Sequence, residues 1–215
     1  MSYGTRKEKI ITKRQKKTYG DMDEINFKKV SDYLFETGNI ERPDYVYVGI
    51  PDAKKMLMKG IQFFTNNKGV WLPEYDAIAD WLEGNNGRGL FCIGAVGRGK
   101  TLICTKVIPA LLNWYHRKVV SIYDAQQMNA NVDDVLSKHI VCVDDLGTEK
   151  ESVKFGERRM AFAELADAAE KKGKLLIITT NMSLNELREK YSERVVDRLR
   201  AITKAVLFDG KSLRE

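Results

Sequence analysis

Apolar and polar positions in the first third of the chain follow the spacing of amphipathic helices. Between Ala53 and Phe64 the apolar residues recur every three or four positions, which predicts a helix with one apolar face. Shorter sets with the same spacing occur at 24–36 and after Pro73. We therefore predict two or three small helices in this part of the chain. Their apolar faces could pack on the rest of the protein or bind a partner, and the spacing alone does not choose between these roles.

From Gly89 onwards, short apolar runs alternate with helical patterns, as is typical of a parallel β-sheet covered by helices. We predict an α/β fold with five strands, and we expect the run 175–181 to be inserted in the middle of the sheet. The predicted strands cover residues 90–94, 119–123, 140–144, 175–180 and 205–208. The predicted helices cover 100–115, 157–172, 184–191 and 193–203. Pro109 falls inside the first of these helices and must kink it or end it early, since proline lacks a backbone N–H.

The net charge of +6 is distributed unevenly along the chain. Residues 1–20 contain seven Lys or Arg and one acidic residue, so this segment accounts for the whole excess. A basic arm of this kind either binds nucleic acid or an acidic partner, or is a solubilising, disordered end. We therefore predict a basic arm over 1–20, a small helical region for partner binding over 21–70, and a nucleotide-binding domain over 71–215.

Several classes of protein are disfavoured by the composition. No apolar run reaches the ~18 residues of a membrane span, and the charged N-terminus has no signal-peptide pattern, so we expect a cytoplasmic protein without membrane contact. The three cysteines lie inside apolar runs, which favours buried, reduced thiols. The two histidines are far apart in the chain, so we expect no metal other than magnesium bound with a nucleotide.

The strongest chemical signal follows the first predicted strand. Residues 94–101 have the spacing G-x-x-x-x-G-K-T of a phosphate-binding loop. Glycines let successive backbone N–H groups turn toward phosphate oxygens, Lys100 supplies a cation, and the Thr101 hydroxyl is placed to bind Mg²⁺. The alternative is a glycine-rich turn that binds nothing, but the position between a strand and a helix favours the nucleotide. The predicted nucleotide-binding residues are Gly94, Ala95, Val96, Gly97, Arg98, Gly99, Lys100, Thr101 and Leu102.

A second polar group follows the strand over 140–144. An apolar strand that ends in two carboxylates is costly unless a cation lies nearby, so we assign Asp144 to Mg²⁺ and Asp145 to the general base that activates water. A simple strand-to-loop turn would explain the same residues. Asn181 follows another predicted strand, where it could bind the γ-phosphate or the catalytic water, or simply form a turn.

Five segments of the chain resemble the DnaC/IstB family of AAA+ ATPases, in the order and with gaps similar to those of that family. They are residues 94–101, 143–149, 177–181, 193–199 and 208–214. The resemblance covers about 71–214 and implies an AAA+ fold, ATP and Mg²⁺ as cofactors, ATP hydrolysis, and self-association through AAA+ interfaces. It also implies that Lys100 and Thr101 belong to Walker A, that Asp144 and Asp145 form Walker B, and that Asn181 is sensor 1.

The same resemblance assigns roles to three arginines. Arg198 occupies the place of the arginine finger, with Arg194 as the other candidate, and Arg214 has a sensor 2-like position. A surface stripe of salt bridges would also explain Arg194 or Arg198, because acidic residues lie beside them. The residues between Tyr123 and His139 are fewer than is usual in the family and include little basic charge, which puts DNA contact through this segment in doubt.

The leading functional hypothesis from the sequence is an ATP-dependent loader that binds a hexameric replicative helicase and single-stranded DNA, in a bacterial or phage-infected cell. Within the family, the alternative is an IstB-like helper ATPase of a transposase. A third hypothesis is a nucleotide-gated binding module with little turnover. Asp145 keeps this hypothesis open, since most AAA+ proteins have the longer Glu at this position and Asp reaches the water less readily.

Overall fold

The chain divides into two compact units, at the boundary between Glu41 and Arg42. The computed structural model describes residues 26–38, 41–149, 153–154, 157–158 and 160–213. The predicted basic arm and Arg214 therefore lie outside the described residues. In the first unit, helix α1 (Phe27–Glu36) begins after Asn26, whose side-chain oxygen accepts a hydrogen bond of 3.0 Å from the backbone N–H of Lys29. None of the α1 residues is buried.

The second unit begins with an extended segment, 42–50, in which Val46, Val48 and Ile50 are buried while Tyr45 and Tyr47 face solvent. In chain order, its elements are α2 (Ala53–Phe64), α3 (Glu74–Glu83), β1 (Gly89–Gly94), α4 (Lys100–Leu102), a π-helical segment (Ile103–Val107), α5 (Ile108–His116), β2 (Ser121–Asp124), α6 (Ala125–Ala130), α7 (Val132–Ser137), β3 (Ile140–Leu146), β4 (Val153–Lys154), β5 (Glu157–Arg158), α8 (Ala161–Lys172), β6 (Leu175–Thr180), α9 (Leu184–Tyr191), α10 (Glu193–Ile202) and β7 (Thr203–Phe208).

Five of these strands form one parallel sheet in the order β2-β3-β6-β1-β7. The predicted α/β class and the insertion of β6 in the middle of the sheet are both confirmed. Side chains of β1 alternate between the two faces of the sheet, as strand geometry requires: Leu90 and Cys92 belong to one buried cluster, Phe91 and Ile93 to the other.

Helices α2, α3 and α5 cover the first face of the sheet, with Trp81 and Ile108 fully buried. Helices α6 to α10 cover the second face, with Phe162 and Leu199 among its buried residues. Both faces are thus removed from water, and polar side chains collect at the edge where the parallel strands end.

The helix that follows β1 does not end at Pro109. The helical run continues to His116, and the five residues before Ile108 are wound as a π-helix. Pro109 has no N–H to donate to the carbonyl of Thr105, four residues earlier, and a local widening of the helix accommodates such a missing bond. Of the two predicted outcomes, a kink or an early end, the early end does not occur, and the irregularity of the helix lies upstream of the proline.

Two other predictions need correction. The helix expected from 157 begins at Ala161, because residues 157–158 pair in antiparallel fashion with 153–154. The segment between β2 and β3, for which no helix was predicted, forms α6 and α7. The signal for α6 was present in the sequence: Asp124 and Gln127 form a capping box in which each side chain accepts from the other residue's backbone N–H.

Candidate nucleotide-binding site

The loop between β1 and α4 is shaped by glycines in left-handed conformations. Gly94 and Gly97 have φ values of 125° and 80°, which L side chains rarely adopt. A Cβ atom on Gly94 would lie 2.1 Å from the carbonyl oxygen of Phe208, and one on Gly97 would lie 2.1 Å from Ser212 Oγ. Both positions therefore require glycine, because of their backbone angles and because β7 and the segment after it pack directly on the loop.

The ammonium group of Lys100 lies inside this loop. Its Nζ donates to the carbonyl oxygens of Gly94 at 2.6 Å and Ala95 at 2.7 Å, and to Asn181 Oδ1 at 2.9 Å. The residue is only 5% exposed, and this burial lowers the pKa of the Lys100 ammonium from its usual value. The loop thus holds a cation among neutral oxygens, at the place where the sequence predicts phosphate.

The two carboxylates follow β3 at an irregularity of the sheet. Val143 pairs with Ile178 but Leu146 pairs with Thr180, so β3 has one more residue than β6 in this interval. This bulge redirects the side chains between the paired residues. Within it, Asp145 adopts a left-handed φ of 52°, and its N–H donates to Thr179 Oγ1 at 2.9 Å.

Asp144 has the surroundings of a metal ligand. Its Oδ1 accepts hydrogen bonds from Thr101 Oγ1 at 3.1 Å and from Thr179 Oγ1 at 2.6 Å. Burial raises the pKa of the Asp144 carboxyl, and the bond from Thr179 acts against that rise. Hard oxygens from a hydroxyl and a carboxylate suit Mg²⁺ that is held mainly by nucleotide phosphates, so the side chains of Thr101 and Asp144 fit such an ion.

Asn181 joins the two halves of the site. Its Oδ1 accepts from Lys100, and its Nδ2 donates to Asp145 Oδ1 at 3.3 Å. The structure therefore brings together the predicted residues Lys100, Thr101, Asp144, Asp145 and Asn181 at the ends of β1, β3 and β6. Asn181 is placed for contact with a ligand as well as for a turn.

A cavity of about 290 Å³ opens beside this group. Its polar side is formed by the loop and the catalytic candidates: Gly97, Gly99, Lys100, Thr101, Asp145 and Asn181. Its other side is formed by Ile61, Thr65, Gly69, Val70 and Tyr75, with Val96, Leu102 and Leu213. The contribution of α2 and α3 was not predicted, although their position just before the loop in the sequence was a usable hint.

Arg98 does not line this cavity with its side chain. Its guanidinium forms two hydrogen bonds with the Glu74 carboxylate, from Nε to Oε1 at 2.7 Å and from Nη2 to Oε2 at 3.0 Å. Its Nη1 donates to the carbonyl oxygen of Lys211 at 3.0 Å. The predicted role of Arg98 in nucleotide binding is thus limited to its backbone.

The loop after β3 is fixed by a carboxylate that the sequence analysis did not single out. Glu149 is buried, and it accepts hydrogen bonds from the backbone N–H of Gly147 at 2.8 Å and from the Tyr191 hydroxyl. Burial and this bond raise the pKa of Tyr191. Lys190 donates to the carbonyl oxygens of Gly147 at 2.6 Å and Glu149 at 2.9 Å. Helix α9 therefore supports the loop that follows Asp145.

The two candidate finger arginines differ sharply. Arg198 Nη2 lies 3.0 Å from Asp167 Oδ1 and its Nε lies 2.5 Å from Glu170 Oε2, and only 12% of its side chain is exposed. Arg194, one turn earlier on α10, is exposed and forms no ion pair with any described residue. Its charge nevertheless acts on the Asp167 carboxylate, whose pKa is lowered mainly by Lys171 and further by Arg198 and Arg194. Neither arginine lines the cavity of its own chain. Arg194 is therefore accessible to another molecule, whereas Arg198 is held by its ion pairs with α8.

Other expectations can be compared with the described part of the chain. There, no group of three or more His, Cys, Asp or Glu side chains could hold a metal ion. Cys92, Cys104 and Cys142 are buried free thiols, as predicted. Among residues 26–38, 41–149, 153–154, 157–158 and 160–213, no helix has both the length and the apolar character needed to cross a membrane.

Comparison with known proteins places the chain in a family. The family model described as Novel STAND NTPase 3 (nSTAND3) matches residues 70–213, which is more than half of the chain. No curated protein sequence matches this chain. Similar solved structures include that of the DnaC helicase loader, with 19% identity and a TM-score of 0.50, over 76% of this chain and 94% of that chain.

Two further proteins have similar structures, and this chain matches about half of the length of each. One is AMPPCP-bound DnaA from Aquifex aeolicus, with 19% identity and a TM-score of 0.50, over 68% of this chain and 50% of that chain. The other is a DNA replication initiation factor, with 18% identity and a TM-score of 0.51, over 67% of this chain and 48% of that chain. At these identities the likeness shows the fold, which confirms the resemblance to AAA+ proteins. The chain belongs to the Novel STAND NTPase 3 family and has the fold of a DnaC-like AAA+ ATPase.

Proposed function

We propose that this protein hydrolyses ATP with Mg²⁺, assembles through AAA+ interfaces, and loads a hexameric replicative helicase onto single-stranded DNA. The observation that supports hydrolysis is the arrangement at the ends of β1, β3 and β6. Within one chain, the Lys100 ammonium, the Thr101 and Asp144 oxygens, and the Asp145–Asn181 pair all lie within hydrogen-bond distance of a neighbour in the same group.

Each residue in this group has a distinct task. The backbone of 94–99 surrounds the phosphates, and Lys100 moves from its carbonyl partners to a phosphate oxygen when nucleotide binds. Thr101 and Asp144 would hold a magnesium ion, which would neutralise phosphate charge. Asp145 orients water and accepts its proton, while Asn181 holds the Asp145 carboxylate and a phosphate oxygen in register.

Helicase loading is supported by the order and spacing of the five DnaC/IstB-like segments, and DNA binding by the excess charge of the arm. Helix α7 contributes the exposed carboxylates Asp133 and Asp134, which disfavour DNA contact through that segment. We therefore assign DNA contact to the basic arm and the ATPase core, and helicase contact to the helical region over 21–70.

One observation favours a second candidate, the nucleotide-gated module with little turnover. The Asp145 side chain is one carbon shorter than Glu, and its Oδ1 accepts a long hydrogen bond, 3.3 Å, from Asn181. Such a carboxylate could leave the attacking water imperfectly oriented, so that nucleotide would be bound and released with little hydrolysis.

The deciding experiment measures the steady-state ATPase rate of the full chain with and without single-stranded DNA, and then with the partner that co-purifies from the native host. A loader hydrolyses ATP faster on DNA and retains a hexameric helicase. Tight ATP binding with a rate near the uncatalysed background would instead identify the gated module. A co-purified transposase would favour an IstB-like helper and contradict the loader assignment.

A further inference from the structure

An ion pair lies buried behind the phosphate-binding loop. Glu74, the first residue of α3, and Arg98, inside the loop, have side chains only 7% and 10% exposed. Two parallel hydrogen bonds, of 2.7 and 3.0 Å, join the guanidinium to the carboxylate. Removing two charges from water is costly, and apolar residues of equal size often pack at least as stably, so this pair is not explained by stability alone. What two parallel bonds add is a fixed orientation.

The next residue of α3 contacts the same loop residue. The Tyr75 hydroxyl donates to the Arg98 carbonyl oxygen at 2.9 Å. Burial raises the pKa of Tyr75 to about 12, so the hydroxyl remains a donor at neutral pH. Consecutive residues of one helix thus hold the side chain and the carbonyl of Arg98, midway between Gly97 and Gly99.

The opposite side of the loop rests on the segment after β7. The N–H of Leu213 donates to the Gly97 carbonyl at 2.9 Å, and Arg98 Nη1 donates to the Lys211 carbonyl at 3.0 Å. The guanidinium therefore connects α3 to this segment across the loop. A loop rich in glycine has large conformational freedom, so an external brace of this kind removes conformations in which the N–H groups point away from phosphate.

We propose that Glu74 is a positioning residue for the nucleotide: acting through Arg98, it holds the phosphate-binding loop in its binding conformation and thereby sets the affinity for ATP. This inference rests on the proposed function, since it concerns the same nucleotide site. Glu74 does not line the cavity, and we assign it no part in water activation. Its loss should weaken ground state and transition state equally, so KM rises while kcat is retained.

The test uses calorimetric titration of the full chain with ATP, with and without Mg²⁺, together with KM and kcat. Glu74→Gln removes the charge, and Arg98→Lys removes the two-bond geometry but retains the charge. Each should raise the Kd for ATP by about tenfold, the order expected when a group that supports a binding site is lost. For Glu74→Gln, kcat should stay within about twofold of the parent. The double variant should bind ATP no more weakly than the weaker-binding single variant, because both changes break the same interaction between Glu74 and Arg98.

A matched control lies on the same helix. Asp76→Asn removes the ion pair between Asp76 and Lys54, whose side chains are 53% and 64% exposed, and it should leave the Kd unchanged. Thermal unfolding without nucleotide shows whether each variant is folded; if Glu74→Gln is not, Arg98→Lys decides the matter. A parent chain that binds no ATP would overturn the proposed function. A parent that binds ATP beside folded variants that bind equally well, or additive effects in the double variant, would overturn only the role of Glu74.

Discussion

The ends of β1, β3 and β6 and the exposed face of α10 both present charged side chains, but they use them differently. At the strand ends, Lys100, Asp144 and Asn181 are each hydrogen-bonded to another member of the site. On α10, Arg198 is bound to α8 while Arg194 extends into solvent. The first region makes its hydrogen bonds within one chain. The second has an exposed guanidinium, that of Arg194, which forms no ion pair with the described residues and is accessible to a neighbouring subunit.

The largest effect is expected from removing the cation of the first region. Lys100→Ala should abolish tight ATP binding, and turnover with it, because no other described side chain places an ammonium or guanidinium group in the cavity. Calorimetric titration with ATP measures the loss, and circular dichroism confirms that the variant is folded. A Kd within threefold of the parent would contradict the assignment of the loop.

The second region, the exposed face of α10, is tested by Arg194→Ala. We expect the ATPase rate per subunit to rise with protein concentration in the parent, and to fall by a factor of about 10³ in this variant, because an arginine supplied by a neighbour meets charge that develops only in the transition state. ATP binding by each subunit should be unchanged.

Mixing Arg194→Ala with Lys100→Ala subunits then separates the two regions, since each variant supplies what the other lacks across a shared interface. Recovery of turnover supports a site shared between subunits. Co-assembled variants that remain as inactive together as they are apart would show that Arg194 does not act in a neighbour.

In the first region, Asp145→Asn should have a smaller effect on turnover than Arg194→Ala has. This change retains the shape of the side chain but removes the base, so turnover should fall by about 100-fold or more while ATP binding persists. Single-turnover hydrolysis of bound ATP measures the chemical step directly. Hydrolysis at the parent rate would show that another group activates the water.

The smallest effect is expected from the second arginine of α10. Arg198→Ala removes two ion pairs with α8 and should lower the melting temperature by about 2–4 °C, corresponding to ~1 kcal/mol in a chain of this size. Turnover should remain within about twofold of the parent. If instead Arg198→Ala abolished the rise of activity with concentration, the roles of the two arginines would be exchanged.

The parts of the fold that the sequence predicted well are those with a strong local pattern. All five strands of the sheet coincide with short apolar runs, and the predicted position of the run 175–181 in the middle of the sheet is confirmed by the strand order. The boundary at Ala161 was missed because residues 153–158 pair with each other, a contact that helical periodicity does not express.

The site was predictable for a similar reason, and only in part. The spacing of 94–101 and the two aspartates mark their chemistry locally, whereas the contact between Glu74 and Arg98 joins residues 24 positions apart in the chain. No periodic pattern encodes such a pairing. The different environments of Arg194 and Arg198 likewise depend on α8, which approaches α10 only in the folded protein.

The reactivity of the three buried thiols can measure how often the core of this protein opens. Cys92 on β1 and Cys104 on the π-helical segment belong to one buried cluster and have sulfur atoms 3.6 Å apart, and Cys142 on β3 donates to the Cys104 carbonyl. A thiol-reactive reagent can reach them only when the layer between the sheet and its helices opens. The rate of labelling therefore reports the frequency of that opening without any engineered cysteine. Bound nucleotide, by favouring the closed layer, should slow the reaction in proportion to its occupancy.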